Sequence, residues 1–135
     1  MVTLIRESWL LIMETRLPTD CGNAPRITIV GDFITSWAEG DTDAVTAWLA
    51  EDVTWTVVGK AAYSGERVAD RVCPAISPAY LEVTSIITHG RLASCDGFLE
   101  SEAGRIDFSH VFRFASTAKT ARIRDVRSYC IDHPT

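Results

Sequence analysis

Apolar positions change their period partway along the chain. Ile29, Val30, Phe33, Ile34 and Trp37 recur at the three- and four-residue spacing of one helix face, beginning near Ile27, and Gly40 follows as a C-cap. Ala44, Val45, Trp48 and Leu49 form a second helical stripe, which Asp41 or Thr42 can cap and which ends near Glu51 and Asp52. VTWTVV, Val53 to Val58, is β-branched and aromatic with alternating threonines, and it predicts a strand. Gly59 to Tyr63 reads as a loop, with Ser64 as the N-cap of a short helix through GERVADRV that Pro74 ends. Beyond that point the period is two. Strands are predicted over Leu81–Thr88, Arg91–Glu100, Arg105–Phe114 and Thr120–Ile131, with turns at His89-Gly90, Ser101 to Gly104 and Ser116 to Ala118. Helices, one strand, a further helix and then an antiparallel meander make an α+β layout.

Ahead of these elements, Ile5, Trp9, Ile12 and Met13 also fall at helical spacing, and Pro18 with TDCGNAP breaks the pattern. Residues 1–26 are therefore read as an N-terminal extension carrying a short helix, and 27–132 as a single domain. A chain of 135 residues accommodates one domain of this kind, and 47% hydrophobic with 23% charged residues is the composition of a folded protein. The apolar run WLLIM is too short to span a membrane and is flanked by Arg6, Glu7 and Glu14, so neither an anchor nor a signal peptide is expected.

Charge and cysteine usage narrow the function classes. A net charge of −5 argues against nucleic acid as a partner, because phosphate neutralisation needs clustered Lys and Arg. The charge is uneven: Asp32 to Asp52 carries no Lys or Arg, whereas Arg105 to Arg127 is rich in arginine. Such runs read as solvated faces or as an interaction surface on the sheet. Cys21, Cys73, Cys95 and Cys130 are far apart and form no CxxC pair, which suits reduced thiols in a cytoplasmic protein. No HExxH, no two-His-plus-carboxylate spacing and no glycine-rich strand-to-helix loop is present, so neither a metal nor a nucleotide cofactor is expected.

The chemistry concentrates in FSHVFRF, Phe108 to Phe114, where His110 interrupts a phenylalanine stripe. Alternation puts Phe108, His110, Phe112 and Phe114 on the core side of their strand. On the next strand Ala121, Ile123, Asp125, Arg127 and Tyr129 share one face, and Arg122, Arg124, Val126 and Ser128 the other. Of two registers one residue apart, the one that keeps arginines out of the aromatic stripe places Phe114 opposite Ala121, Phe112 opposite Ile123 and His110 opposite Asp125. Cross-strand side-chain carbons then lie about 5 Å apart. A buried imidazole needs such a partner, since an orphaned polar group costs about 1–3 kcal/mol. A His110–Asp125 pair could fix one tautomer and leave the other ring nitrogen for acid–base work, or it could simply satisfy itself in the core.

Phe33 to Gly59, with WAEGD and LAEDVTW inside it, together with HVFRF and ARIRDV later on, resembles nuclear transport factor 2-like proteins. That superfamily includes SnoaL-like polyketide cyclases, ketosteroid isomerases and limonene epoxide hydrolases, and the similarity runs from about Ile27 to Ile131. The resemblance implies a curved antiparallel sheet wrapped around helices as a cone with an apolar pocket. It also implies a homodimer through the outer sheet face, near which Arg113, Arg122 and Arg124 would lie. Phe33, Trp37, Trp55, Val57, Phe108, Phe112, Ile123, Arg127 and Tyr129 would line the pocket with the His110–Asp125 pair, and Asp96 would face pocket or solvent.

Residue by residue, the ketosteroid isomerase set is absent: Phe33, Val57 and His110 stand at its tyrosine, general-base aspartate and protonated aspartic acid. Of the Asp-Arg-Asp set of limonene-type epoxide hydrolases, one aspartate falls on Asp125, and Phe98 and Glu100 are the nearest matches to the rest. SnoaL-like cyclases use an acid–base aspartate on the last strand, again close to Asp125. The resemblance thus implies a cofactor-free cyclase, isomerase or hydrolase acting on a small apolar, oxygen-bearing molecule, with Asp125 and His110 catalytic. The alternative is a non-catalytic binding or dimeric interaction protein. A Ser-His-Asp arrangement through Ser109 or Ser128 is excluded on this register, because both serines alternate away from His110.

Overall fold

The computed structural model describes residues 12–134. Helix α1, Pro25–Glu39, begins with proline in its first turn, and Gly40 closes it at φ 74°. The Gly40 and Asp41 amides donate to the carbonyls of Trp37 and Ser36, so the last turn is satisfied before the chain reverses. Asp41 then caps α2, Thr42–Trp48, its Oδ1 accepting from the Ala44 amide at 3.1 Å. Leu49, expected in this helix, instead opens a strand.

That strand, β2, spans Leu49–Val57, and β3, Ala61–Ser64, returns beside it where a loop and a helix cap are predicted. Tyr63 lies opposite Trp55 and Ala61 opposite Val57, so β3 continues the inner face of β2. The helix expected through GERVADRV shortens to α3, Ala69–Val72. The remaining strands are β4, Tyr80–His89; β5, Leu92–Ser101; β6, Gly104–Phe114; and β7, Ile123–Pro134.

Among the described residues seven strands, the first of them β1, Glu14–Arg16, form one curved sheet in the order β1-β4-β5-β6-β7-β2-β3. The meander β4 to β7 is antiparallel as the alternation predicts. The flanks add parallel pairs to it: β2 runs parallel to β7, and β1 runs parallel to β4. Each of those neighbours is reached by a long crossover rather than a hairpin, which permits parallel pairing. The short helix expected in residues 1–26 falls largely on residues 1–11, outside those described. Ile5 and Trp9 lie outside the described residues, while Ile12 and Met13 precede β1 with no helical assignment.

The apolar stripe of α1 packs on the inner face of this sheet. Phe33 stacks on Trp55 at 5.9 Å between centroids and meets Phe112 edge-on at 5.6 Å, while Trp37 meets Phe108 at 5.3 Å. Gly97 marks the tightest place in the sheet, since a Cβ there would collide with the Glu82 carbonyl where β4 shifts register. The two segments of opposite charge lie side by side because β2 pairs with β7: Arg124 reaches Asp52 at 3.6 Å, and Arg122 donates to the Leu49 carbonyl. No described helix is long and apolar enough to cross a membrane.

Candidate functional site

The ladder between β6 and β7 decides what His110 touches. From Gly104 opposite Pro134 the pairing runs evenly to Arg113 opposite Asp125, and then shifts so that Phe114 faces Ile123. Arg124 is the extra residue. A bulge of this kind lets two successive segments of one strand present opposite parities to the core. Ile123 before it and Val126 and Ser128 after it all point inward and are buried. His110 therefore stands opposite Ser128, not Asp125, and Phe112 opposite Val126, not Ile123. The predicted register fails because it assumes one unbroken alternation along β7.

Asp125 is displaced to the outer face. It lies across the ladder from Arg113, and its Oδ2 accepts from Arg127 Nη1 at 2.9 Å. His110 and Asp125 thus form no pair. The exclusion of Ser128 on its strand face is also overturned, whereas Ser109 does point away from His110, opposite Tyr129 on the outer side.

His110 is completely buried, and its Nδ1 lies 2.7 Å from Ser128 Oγ. The indole Nε1–H of Trp55 donates to the same Oγ at 2.8 Å. One proton order satisfies these contacts in sequence: Trp55 donates to Ser128, the serine hydroxyl donates to Nδ1, and the imidazole carries its proton on Nε2. Nε2 has no hydrogen-bond partner among the described residues. The ring is enclosed by aromatics, with Trp37 at 4.5 Å in a T-shaped contact and Phe108 stacked at 5.0 Å. Burial alone drives the His110 pKa down to about 3, so the ring is neutral near pH 7.

The concave site lies at the end of the sheet, beyond this cluster. Trp37 at the end of α1, Val57 and Tyr63 of β2 and β3, Val72 of α3, the segment Cys73 to Ile76, and Ile106 of β6 surround a cleft of about 570 Å³. Lys60, Arg71, Arg105, Asp132 and His133 supply its polar groups, and Cys73 and Cys130 its thiols. Cys73 is pushed up to about 11 by burial and then by Asp70 and Asp41. The Cys130 thiol is raised by burial and by Asp132, with Lys60 acting the other way. Protonated thiols are poor nucleophiles, so neither is set up for covalent catalysis at neutral pH. Among the described residues no group of three His, Cys, Asp or Glu side chains is placed to hold a metal ion.

Of the predicted lining, Trp37 and Val57 belong to this cleft. Phe33, Trp55, Phe112 and Ile123 are instead packed in the core, and Phe108 is buried behind Trp37. Arg127 and Tyr129 lie on the outer face for the same reason as Asp125. Asp96 is there too, opposite Ser109 and accepting from the Ser85 hydroxyl. The residues that sequence reasoning missed come from Cys73 to Ile76, the β5–β6 turn and the last residues of β7. They are distant in sequence and have no common period, so only the fold brings them together.

No protein-family model matches the chain, and no curated protein matches it. Solved structures do. An NTF2-like protein of unknown function from Burkholderia xenovorans is 18% identical, the alignment covering 80% of this chain and 84% of that one with a TM-score of 0.64. An LEH-like epoxide hydrolase of M. tuberculosis is 21% identical over 79% of this chain and 83% of its own, with a TM-score of 0.58. A de novo designed protein with a curved β-sheet matches at 15% identity over 82% and 88%, with a TM-score of 0.65. At these identities the likeness is one of fold, and a designed scaffold among the matches underlines that the fold carries no function by itself.

Proposed function

We propose that this chain, which has the nuclear transport factor 2-like fold, binds a small, largely apolar, oxygen-bearing molecule in the cleft walled by Trp37, Val57, Tyr63, Val72 and Ile106. The observation that carries the reading is the cleft itself: about 570 Å³, apolar on its walls, with a few polar groups converging on it. That is the usual size and character of a small-molecule site. His110 belongs to the core in this reading. Its Nδ1 is committed to Ser128, Trp37 lies between its ring and the cleft, and its conjugate acid is suppressed, all of which suit a structural group better than a proton carrier. Asp125, held by Arg127 on the opposite face of the sheet, has no part in binding.

Titration with the neutral apolar dye Nile red, followed by its fluorescence, tests the reading. Saturable binding is expected in the parent, loss of it in Val57→Trp, whose indole would fill the cleft, and no change in Asp125→Asn. Circular dichroism of Val57→Trp checks that it is folded. Dye binding that survives in a folded Val57→Trp, or disappears in Asp125→Asn, would sink the proposal.

A second copy of the chain is the natural cover for the outer sheet face. Ile87, Ile131 and Tyr129 are 64%, 62% and 44% exposed there, and the same face carries Val111 and Phe98. An apolar band of this kind, rimmed by Arg113, Arg105 and Glu100, has the composition of an association surface.

A further inference from the structure

We infer that the ligand of the cleft is an amphipathic monocarboxylate, its tail among Trp37, Val57, Val72 and Ile106 and its carboxylate at the rim between Lys60 and Arg71. The inference rests on the cleft reading above and adds the chemical class of the ligand. Its starting point is charge. The chain as a whole carries −5, yet three cations line the cleft against the single carboxylate of Asp132. An excess of cations in a concave, largely apolar place of an acidic protein attracts an anion.

The cations differ in how far they are already engaged. Arg105 donates from Nη2 to Asp107 at 2.9 Å and lies over the Phe98 ring at 3.8 Å, so its head belongs to the outer face. His133 is also held by Asp107, at 2.7 Å. Lys60 and Arg71 form no ion pair with another described residue. The carboxylate beside Arg71 in sequence, Asp70, is taken by Arg67 at 2.5 Å. Lys60 sits on the β2–β3 turn, its amide donating to the Val57 carbonyl, which brings it to the rim directly above a lining residue. Lys60 and Cys130 both line the cleft, which puts the ammonium on the same concave face as the thiol.

One end of the site is thus apolar and the other carries a compact ammonium and a planar guanidinium fork. A fork of that shape takes a carboxylate in two parallel hydrogen bonds. α1 reaches the cleft only with its C-terminal end and α3 has four residues, so no long helix N-terminus offers free amides to a phosphate group. The match is therefore to a carboxylate on an apolar body.

Isothermal titration with decanoate and with 1-decanol, which share a tail and differ in the head, tests this on the parent and on the Lys60→Met/Arg71→Met double variant. Decanoate is expected to bind the parent about fivefold more tightly than the alcohol at low salt, as two exposed ion pairs allow. Raising the ionic strength should narrow the gap. The double variant should close it while leaving decanol affinity unchanged. Equal affinities in the parent, or a gap that persists in the double variant, would overturn the carboxylate inference and leave the cleft reading standing. Binding of both probes that is indifferent to Val57→Trp would overturn the cleft reading itself, and binding of neither would overturn both.

Discussion

A neutral histidine locked in the core must make stability depend on pH, and the size of the effect follows from its burial. In the unfolded chain His110 titrates near its ordinary 6.5, whereas in the folded protein burial lowers it to about 3. Between these values the unfolded state binds the extra proton. Its contribution to unfolding free energy is therefore complete above the unfolded value and declines as pH falls toward the folded one. Working the proton binding through from pH 7 to pH 5, the unfolded chain gains about 2 kcal/mol relative to the folded protein. That figure is insensitive to the folded value, provided it lies well below 5. Urea unfolding followed by tryptophan fluorescence at pH 5, 6, 7 and 8 measures it. The decisive quantity is the difference between the parent and His110→Leu, which isolates this one group. Leucine is apolar, fits a stripe of phenylalanines, and leaves the Trp55–Ser128 hydrogen bond in place. The parent should lose about 2 kcal/mol more than the variant between pH 7 and pH 5. Parallel pH profiles would refute the reasoning, because they would mean that the imidazole takes up its proton in the folded protein.

Two further outcomes follow from the same geometry. Ser128→Ala should destabilise the protein by about 2–4 kcal/mol in urea titration, since it strips partners from both Trp55 Nε1 and His110 Nδ1 in a place that water does not reach; a change below about 1 kcal/mol would show that the serine does not bridge them. If a second copy covers the outer face, sedimentation should show a dimer in the parent and a shift to monomer in Ile131→Lys, where a charge replaces an isoleucine 62% exposed in the isolated chain; a parent that sediments as a monomer across micromolar concentrations would remove that proposal.

What the sequence made legible is what depends on local period. The stripe Val30, Phe33, Ile34, Trp37 forms the buried face of α1, and the four strands of the meander sit within a few residues of their predicted limits. Short elements were lost. β3 has four residues, too few for two alternations to stand out from a loop, and α3 has only a single turn. The sheet's parallel flanks were hidden for a different reason: pairing across a crossover leaves no mark on either strand's own pattern.

The face of Asp125 was misread at a single residue, while the pairing itself starts two residues later than expected, with Phe114 opposite Ile123 rather than Ala121. Reading β7 as one alternation sets Ile123 and Asp125 on the same face, and charge avoidance then favours Asp125 as the partner of His110. The bulge at Arg124 breaks that premise, because it lets Ile123 and Val126 both point inward, three residues apart. The pattern contains a trace of this. Ile123 and Val126 are the apolar residues nearest the start of the strand, and no period of two can bury both. Had burial of those two been given priority over alternation, Ser128 would have joined His110 on the inner face and Asp125 would have turned outward. The consequence for function is large relative to the cause. One inserted residue moves the carboxylate to the far side of the sheet and converts an apparent acid–base pair into a neutral Trp55–Ser128–His110 chain. It leaves the cleft at the sheet's end, with Lys60 and Arg71 in its lining, as the site proposed for a ligand.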